Sequence, residues 1–128
     1  MKKRYVIALI FAAALSVSGQ VYAHHSFAAT YIEEKTMQIE GKLVEFQYKN
    51  PHSFIEVETT DQKGQSVRWS AEWAGSDQLR GEGVTITTLK FGDVVTIVGN
   101  PGRETAEHRI RLISIRRAID DFRWIGRN

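Results

Sequence analysis

The sequence predicts an all-β domain, and three observations support that prediction. After residue 36, apolar and polar residues alternate with a period of two, which is the pattern of strands with one buried face. Turn residues, such as "DQKG" at 61–64, separate these segments. The chain contains no cysteine, so a disulfide framework and thiolate metal sites are excluded and a packed core must stabilise the fold.

Five segments carry the alternation. In the first, which is the longest, the apolar phase changes after Leu43-Val44 and predicts a bulge in a long, coiled strand. In the last, the phase changes at Leu112-Ile113. The predicted strands cover residues 36–50, 53–60, 67–73, 94–98 and 109–117.

A short helical element interrupts the alternation between the third and fourth strands. Ser76 is expected to cap a helical turn that runs through Leu79 and ends at the following glycines. The tail "AIDDFRWIGRN" is expected to add a short strand or to pack Phe122 and Trp124 against the domain. Together these elements predict a small five-stranded Greek-key barrel of the oligonucleotide/oligosaccharide-binding (OB) type. An open β-sandwich and a different small barrel are the alternatives.

Residues 1–23 are typical of a secretory signal peptide, and we expect them to form a signal helix that is cleaved off. Three basic residues at 2–4 precede an apolar run, and Val21 and Ala23 occupy the −3 and −1 positions of a cleavage site. The apolar run is too short for a membrane span, which takes about 20 residues. We therefore expect cleavage after Ala23, no transmembrane segment in the remainder, and one periplasmic or secreted domain at 24–128.

Removal of the signal peptide changes the charge of the protein. The full chain has 17 basic and 15 acidic side chains, and the loss of three basic ones leaves a net charge of −1. A general nucleic-acid surface is therefore not supported, although the C-terminal third is locally basic. Its arginines are expected to face solvent, or else to meet anionic lipid, polysaccharide or an acidic partner in the cell envelope. They are Arg103, Arg109, Arg111, Arg116, Arg117, Arg123 and Arg127.

Two adjacent histidines follow the predicted cleavage site. The freed α-amine of His24 and its own imidazole form a chelate. An imidazole from His52, in the turn "NPH", completes a nitrogen donor set that suits copper, and zinc less well. Glu72, on the polar face of the third strand, is expected to orient an imidazole or to bind the metal itself. His25 reaches the same ion only if the backbone turns there, because adjacent side chains of an extended chain diverge. The alternative is that both histidines are simply a soluble start to the mature chain.

Other residues indicate binding more weakly, and catalysis has no positive support. Trp69 and Trp73 share the apolar face of the third strand, where they either form the floor of a ligand cleft or belong to the core. The chain has neither a G-x-S-x-G elbow nor a phosphate-binding loop. An enzyme that uses the histidines and a metal is the least favoured of the interpretations.

Four motifs in order resemble a family of small exported bacterial proteins of unknown function. They are "AHHSFAATY", "NPHSFIEV", the W-x-x-E at Trp69–Glu72, and "LKFGDVVTIVG". The resemblance covers His24 to about Ile115 and implies a periplasmic or secreted small β-barrel without an established activity. Among the matching positions it adds Asn50 and Ser53 as candidate ligand-binding residues.

The sequence therefore predicts an exported binding module that binds a divalent metal such as copper. The alternative is a metal-free barrel that binds a small ligand or an envelope protein.

Overall fold

The computed structural model describes residues 27–126 of the chain, of which residues 27–30 are helical. The predicted signal peptide with its signal helix, His24, His25 and Arg127 lie outside the described residues. Within the described range, no helix has the length and apolar character needed to span a membrane.

Within residues 27–126, six strands form one sheet, and five of them close into a barrel. The sheet order is β3-β2-β1-β4-β5-β6, and a parallel pairing between β3 and β5 closes the barrel. The predicted OB-type barrel with a short helix between its third and fourth strands is confirmed. The elements are β1 Met37–Gln47, β2 Phe54–Thr60, β3 Ser66–Glu72, α1 Ser76–Gly81, β4 Val94–Pro101, β5 Arg109–Arg117 and β6 Arg123–Ile125.

Two bulges bend the sheet at the positions where the sequence changes phase. The β1–β2 register shifts between Leu43 and Glu45. In the β4–β5 pair, Val98 is opposite Ser114 and Gly99 is opposite Leu112, so Ile113 has no register partner on β4. At Gly99 a Cβ would lie 2.1 Å from the carbonyl oxygen of Arg111, so the close approach of these strands requires glycine. Pairing with β5 continues past this point, which is why β4 ends at Pro101 and not at the predicted residue 98.

Apolar side chains from every part of the barrel form one core. The α1 helix contributes Leu79, which is completely buried. The tail contributes Trp124, whose ring packs edge-on against Trp73 with 5.3 Å between centroids. Its indole N–H donates to Glu82 at 2.6 Å. The tail therefore does both things the sequence predicts, since it adds β6 and packs against the core.

The start of α1 differs from the predicted cap. Gly75 is the N-cap, and Ser76 is already helical. The side chain of Asn50 serves this helix end, because its Oδ1 accepts from the backbone N–H of Asp77 at 3.1 Å and its Nδ2 donates to the Asp77 carboxylate at 2.8 Å. The prediction for Ser76 is wrong because a residue distant in the sequence satisfies the helix terminus.

Candidate functional site

His52 and Glu72, which the sequence singles out separately, lie in direct contact. Glu72 ends β3 and points away from the core, because the preceding Ala71 is buried inside the barrel. Its register partner on β2 is Phe54, so the turn just before Phe54 runs beside the end of β3. That turn places Nδ1 of His52 2.8 Å from Oε1 of Glu72, and only 12% of the Glu72 side chain is exposed.

Tyr31 holds the second oxygen of this carboxylate. Its hydroxyl donates a hydrogen bond to Oε2 of Glu72, and only 1% of the residue is exposed. Burial, and then the hydrogen bond to Glu72, raises the pKa of Tyr31 above its ordinary value. The phenol therefore remains a proton donor across the physiological pH range.

Arg109 approaches Glu72 from the neighbouring strand. Its Nη2 lies 3.9 Å from Oε2 of Glu72, and its Nη1 lies 3.6 Å from Oε2 of Glu107. The guanidinium carbon stands 5.8 Å from the centroid of the Tyr31 ring, within the range of a cation–π contact. A positive charge therefore offsets part of the cost of removing the Glu72 carboxylate from water.

The segment that carries Tyr31 is attached to the barrel independently of Glu72. The backbone N–H of Ile32 donates to the carbonyl of Pro101 at 2.9 Å. The buried amide of Asn100 donates to the carbonyls of Glu33 and Lys35, at 3.1 and 2.8 Å. These contacts fix the backbone next to Tyr31. The position of its side chain therefore does not depend on the hydrogen bond to Glu72 alone.

Tyr31, His52, Glu72 and Arg109 are called the Glu72 cluster below. When Nδ1–H of His52 donates to the carboxylate, the lone pair of the imidazole lies on Nε2. The His52 side chain is 38% exposed. An imidazole oriented in this way suits two kinds of chemistry, metal binding and proton acceptance.

The cluster supplies only part of a metal donor set. Among residues 27–126, no group of three or more histidine, aspartate or glutamate side chains is placed to hold a metal ion. The other predicted ligands, His24 and His25, belong to the part of the chain outside that range.

The predicted ligand-binding residues make mainly structural contacts. Asn50 is bonded to Asp77 at the start of α1, as described above. Ser53 is fully buried, and its hydroxyl donates to the carbonyl of Lys49 at 3.1 Å and accepts from the Lys49 N–H at 3.2 Å. Asn50 and Ser53 therefore shape the turn that carries His52, and Ser53 offers no surface to a ligand.

Trp69 on β3 and Trp73, which directly follows β3, differ in their surroundings. Trp73 is 3% exposed and belongs to the core, although its indole N–H has no hydrogen-bond partner within the described residues. Trp69 is half-buried, and its ring meets the edge of His108 with 5.2 Å between centroids. Of the two, only Trp69 retains a surface that a ligand can reach.

No sequence pattern indicates a role at the site for two members of the Glu72 cluster, Tyr31 and Arg109. Tyr31 closes the motif "AHHSFAATY" but carries no pattern of its own, and Arg109 was expected to be a solvent-facing arginine. Both reach Glu72 across large sequence separations. The one indication in the sequence is indirect. A carboxylate on a strand between buried residues, such as Glu72, needs hydrogen-bond donors, but the sequence does not say which residues supply them.

Comparison with known proteins places the chain in a family. A family model matches residues 13–111, a range that includes the entire Glu72 cluster. The chain belongs to the family of unknown function DUF6152. The predicted membership of a family of unknown function is thereby confirmed. No curated protein matches this DUF6152 chain in sequence.

Among solved structures, the chain is similar to the mitochondrial single-stranded DNA-binding protein Rim1 from S. cerevisiae. The TM-score is 0.51 at 12% sequence identity, and the match covers 68% of this chain and 96% of the other. A likeness at this level of identity shows the OB-type fold alone.

Proposed function

We propose that this protein is an exported binding module that holds a divalent metal ion, copper in preference to zinc, between His52 and the histidines of its mature N-terminus. The supporting observation is the 2.8 Å contact between Nδ1 of His52 and Oε1 of Glu72. Histidines that bind metals almost always donate their other ring N–H to a carboxylate, carbonyl or water, which fixes the tautomer and the orientation of the ring. His52 is arranged in this way, with Nε2 as the donor to the metal.

Within this proposal Glu72 orients His52 and does not bind the metal itself. One of its oxygens meets His52, and the other accepts the Tyr31 hydroxyl next to Arg109. A carboxylate held from three sides is a rigid acceptor, and rigidity in this outer layer of contacts is what keeps an imidazole pointed at a metal.

The remaining donors come from the chain before Tyr31. His24 supplies its α-amine and its imidazole, and His25 follows it directly in the sequence. Cleavage after Ala23 frees the α-amine of His24, whose reference pKa of about 8 lets a metal displace its proton at modest cost. The α-amine and imidazole of His24 and the imidazole of His52 form a nitrogen set that binds copper more strongly than zinc, and His25 adds a further imidazole if the backbone turns there.

Calorimetric titration of protein that begins at His24 tests the proposal. We expect one equivalent of Cu(II) to bind with a Kd below about 1 μM, and Zn(II) to bind more weakly. Binding should be lost in His52→Ala and in a version with extra residues before His24. The control is His108→Asn, which removes another histidine and preserves the left-handed backbone at φ 48°. Absent binding, or binding unaffected by both changes, overturns the metal proposal in favour of a metal-free, partner-binding barrel.

A further inference from the structure

The β6 strand leaves one edge of the sheet open. It pairs with β5 on one side and ends the sheet order, so no other strand within residues 27–126 pairs with it. The N–H of Arg117 donates to the carbonyl of Phe122 at 3.1 Å, and the N–H of Gly126 donates to the carbonyl of Ile113 at 2.8 Å. In an antiparallel pair, every second residue of a strand bonds to the partner strand and the residues between them point their N–H and C=O groups the other way. Since Phe122 and Gly126 bond to β5, the backbone groups of Arg123 and Ile125 face away from β5.

Two arginines stand directly opposite each other beside this edge. Arg116 on β5 and Arg123 on β6 are register partners, and both are exposed. Like charges in this position destabilise a sheet. No carboxylate of the described residues forms an ion pair with either, whereas the adjacent Arg117 pairs with Asp93 and Asp120 at 2.7 and 2.8 Å. The sheet itself therefore leaves this concentration of positive charge uncompensated.

The two faces of β6 differ, since one faces the core and the other carries the arginines. Trp124 points inward and packs on Trp73. Ile125 points outward on the side of the two arginines and is 65% exposed. A strand laid along β6 would therefore place alternate side chains against arginines on one face and against the core side on the other.

We propose that β6 is a docking edge for an extended acidic segment of a partner protein, which adds a strand to the sheet and sets its carboxylates against Arg116 and Arg123. In strand addition, main-chain hydrogen bonds supply affinity and alternate side chains supply specificity. Here the open backbone groups of Arg123 and Ile125 would provide the affinity, and the arginine pair would provide the specificity. A second copy of this chain is a poor occupant, because pairing two β6 edges would bring two arginine pairs together.

A synthetic peptide probes this edge directly. The probe is a fluorescein-labelled heptapeptide of alternating glutamate and valine, and binding to the purified protein is measured by fluorescence anisotropy at low salt. We expect saturable binding that weakens as salt is added. The same peptide with lysine in place of glutamate should not bind.

Three variants separate the contributions to binding. Arg116→Gln/Arg123→Gln should weaken binding about tenfold or more without loss of folding, since it removes a repulsive pair. Ile125→Pro should abolish binding while the pairing with β5 survives, because the lost N–H faces away from β5. Arg68→Gln, which changes an exposed arginine paired with Glu58 on β2, is the matched control and should have no effect. An absence of saturable binding, equal loss in Arg68→Gln, or binding that survives Ile125→Pro would each overturn the proposal.

Discussion

Glu72 and Trp73 are neighbours in sequence, yet the two sides of the sheet that they face are built differently. Trp73 packs against Trp124 and Phe46, with ring centroids 5.3 and 5.8 Å away. Glu72 meets Tyr31, His52 and Arg109 through a few directional polar contacts. Burial of apolar area stabilises the first side. On the second side, desolvation of the carboxylate offsets much of the gain from its partners. The Glu72 cluster is therefore an inefficient way to stabilise a barrel, which points to a task other than stability.

The largest effect on stability is expected on the apolar side. Leu79→Ala removes a completely buried side chain and should lower the free energy of unfolding by about 2–5 kcal/mol. Urea unfolding followed by tryptophan fluorescence measures this change. Because Leu79 belongs to the apolar core and no residue of the Glu72 cluster does, the affinity for Cu(II) of the folded variant should not change. A combined loss of stability and copper affinity would break the distinction between the two sides.

Replacement of Glu72 is expected to act mainly on binding. Glu72→Gln leaves His52 without a charged acceptor, so Cu(II) affinity should fall about 10–100-fold. The unfolding free energy should fall by about 1–3 kcal/mol, because the partners of the carboxylate remain part-buried. Calorimetry and urea unfolding measure the two changes. Glu56→Gln, on the outer face of β2, is the control and should alter neither quantity by much.

Removal of the Tyr31 hydroxyl sharpens the comparison through its pH dependence. Tyr31→Phe should cost about 1 kcal/mol at neutral pH. Because the pKa of Tyr31 is raised by burial and by Glu72, the unfolded chain loses this proton above about pH 10 while the folded chain keeps it. The stability that the protonated Tyr31 hydroxyl contributes is fully present below pH 10 and is lost as pH rises further. Urea unfolding between pH 8 and 11 should therefore show a shallower alkaline decline in Tyr31→Phe, and parallel curves would contradict this account of Tyr31.

The smallest effect is expected at the surface, where Arg117 binds Asp120. Their hydrogen bond lowers the pKa of Asp120 below its ordinary value. The stability that this contact contributes is present above the pKa of Asp120 in the unfolded chain. It is lost as pH falls through the lower pKa of Asp120 in the folded protein. Asp120→Asn should reduce stability at pH 7 by less than Tyr31→Phe, because the Asp120 side chain is exposed and solvent screens its contact with Arg117. NMR titration of the Asp120 carboxyl checks the pKa, and an unshifted midpoint would show that the contact does not persist in solution.

The strands were predictable because period-two alternation is a local property of the sequence. Val67 through Trp73 alternate without interruption, and β3 forms there. The phase changes at Leu43 and Leu112 correctly marked the two bulges. The sequence predicts both the turn that carries His52 and the strand that carries Glu72. The two residues lie close together because β2 and β3 form a hairpin.

The missed features depend on contacts between distant residues. Asn50 takes the place of the expected Ser76 cap because the turn before β2 folds onto α1. Tyr31 reaches Glu72 from 41 residues earlier in the chain. The extra length of β4 depends on whether Gly99 can approach Arg111. Local sequence patterns carry no information about such pairs, and they are the contacts that complete the site.

Pulsed EPR of the Cu(II)-loaded protein that begins at His24 shows whether His52 binds the metal, because it counts the imidazoles bound to copper. We expect His52→Ala to lose one imidazole from the copper and His108→Asn to lose none. An unchanged imidazole count in His52→Ala would show that the Glu72 cluster does not hold the metal ligand that its geometry suggests.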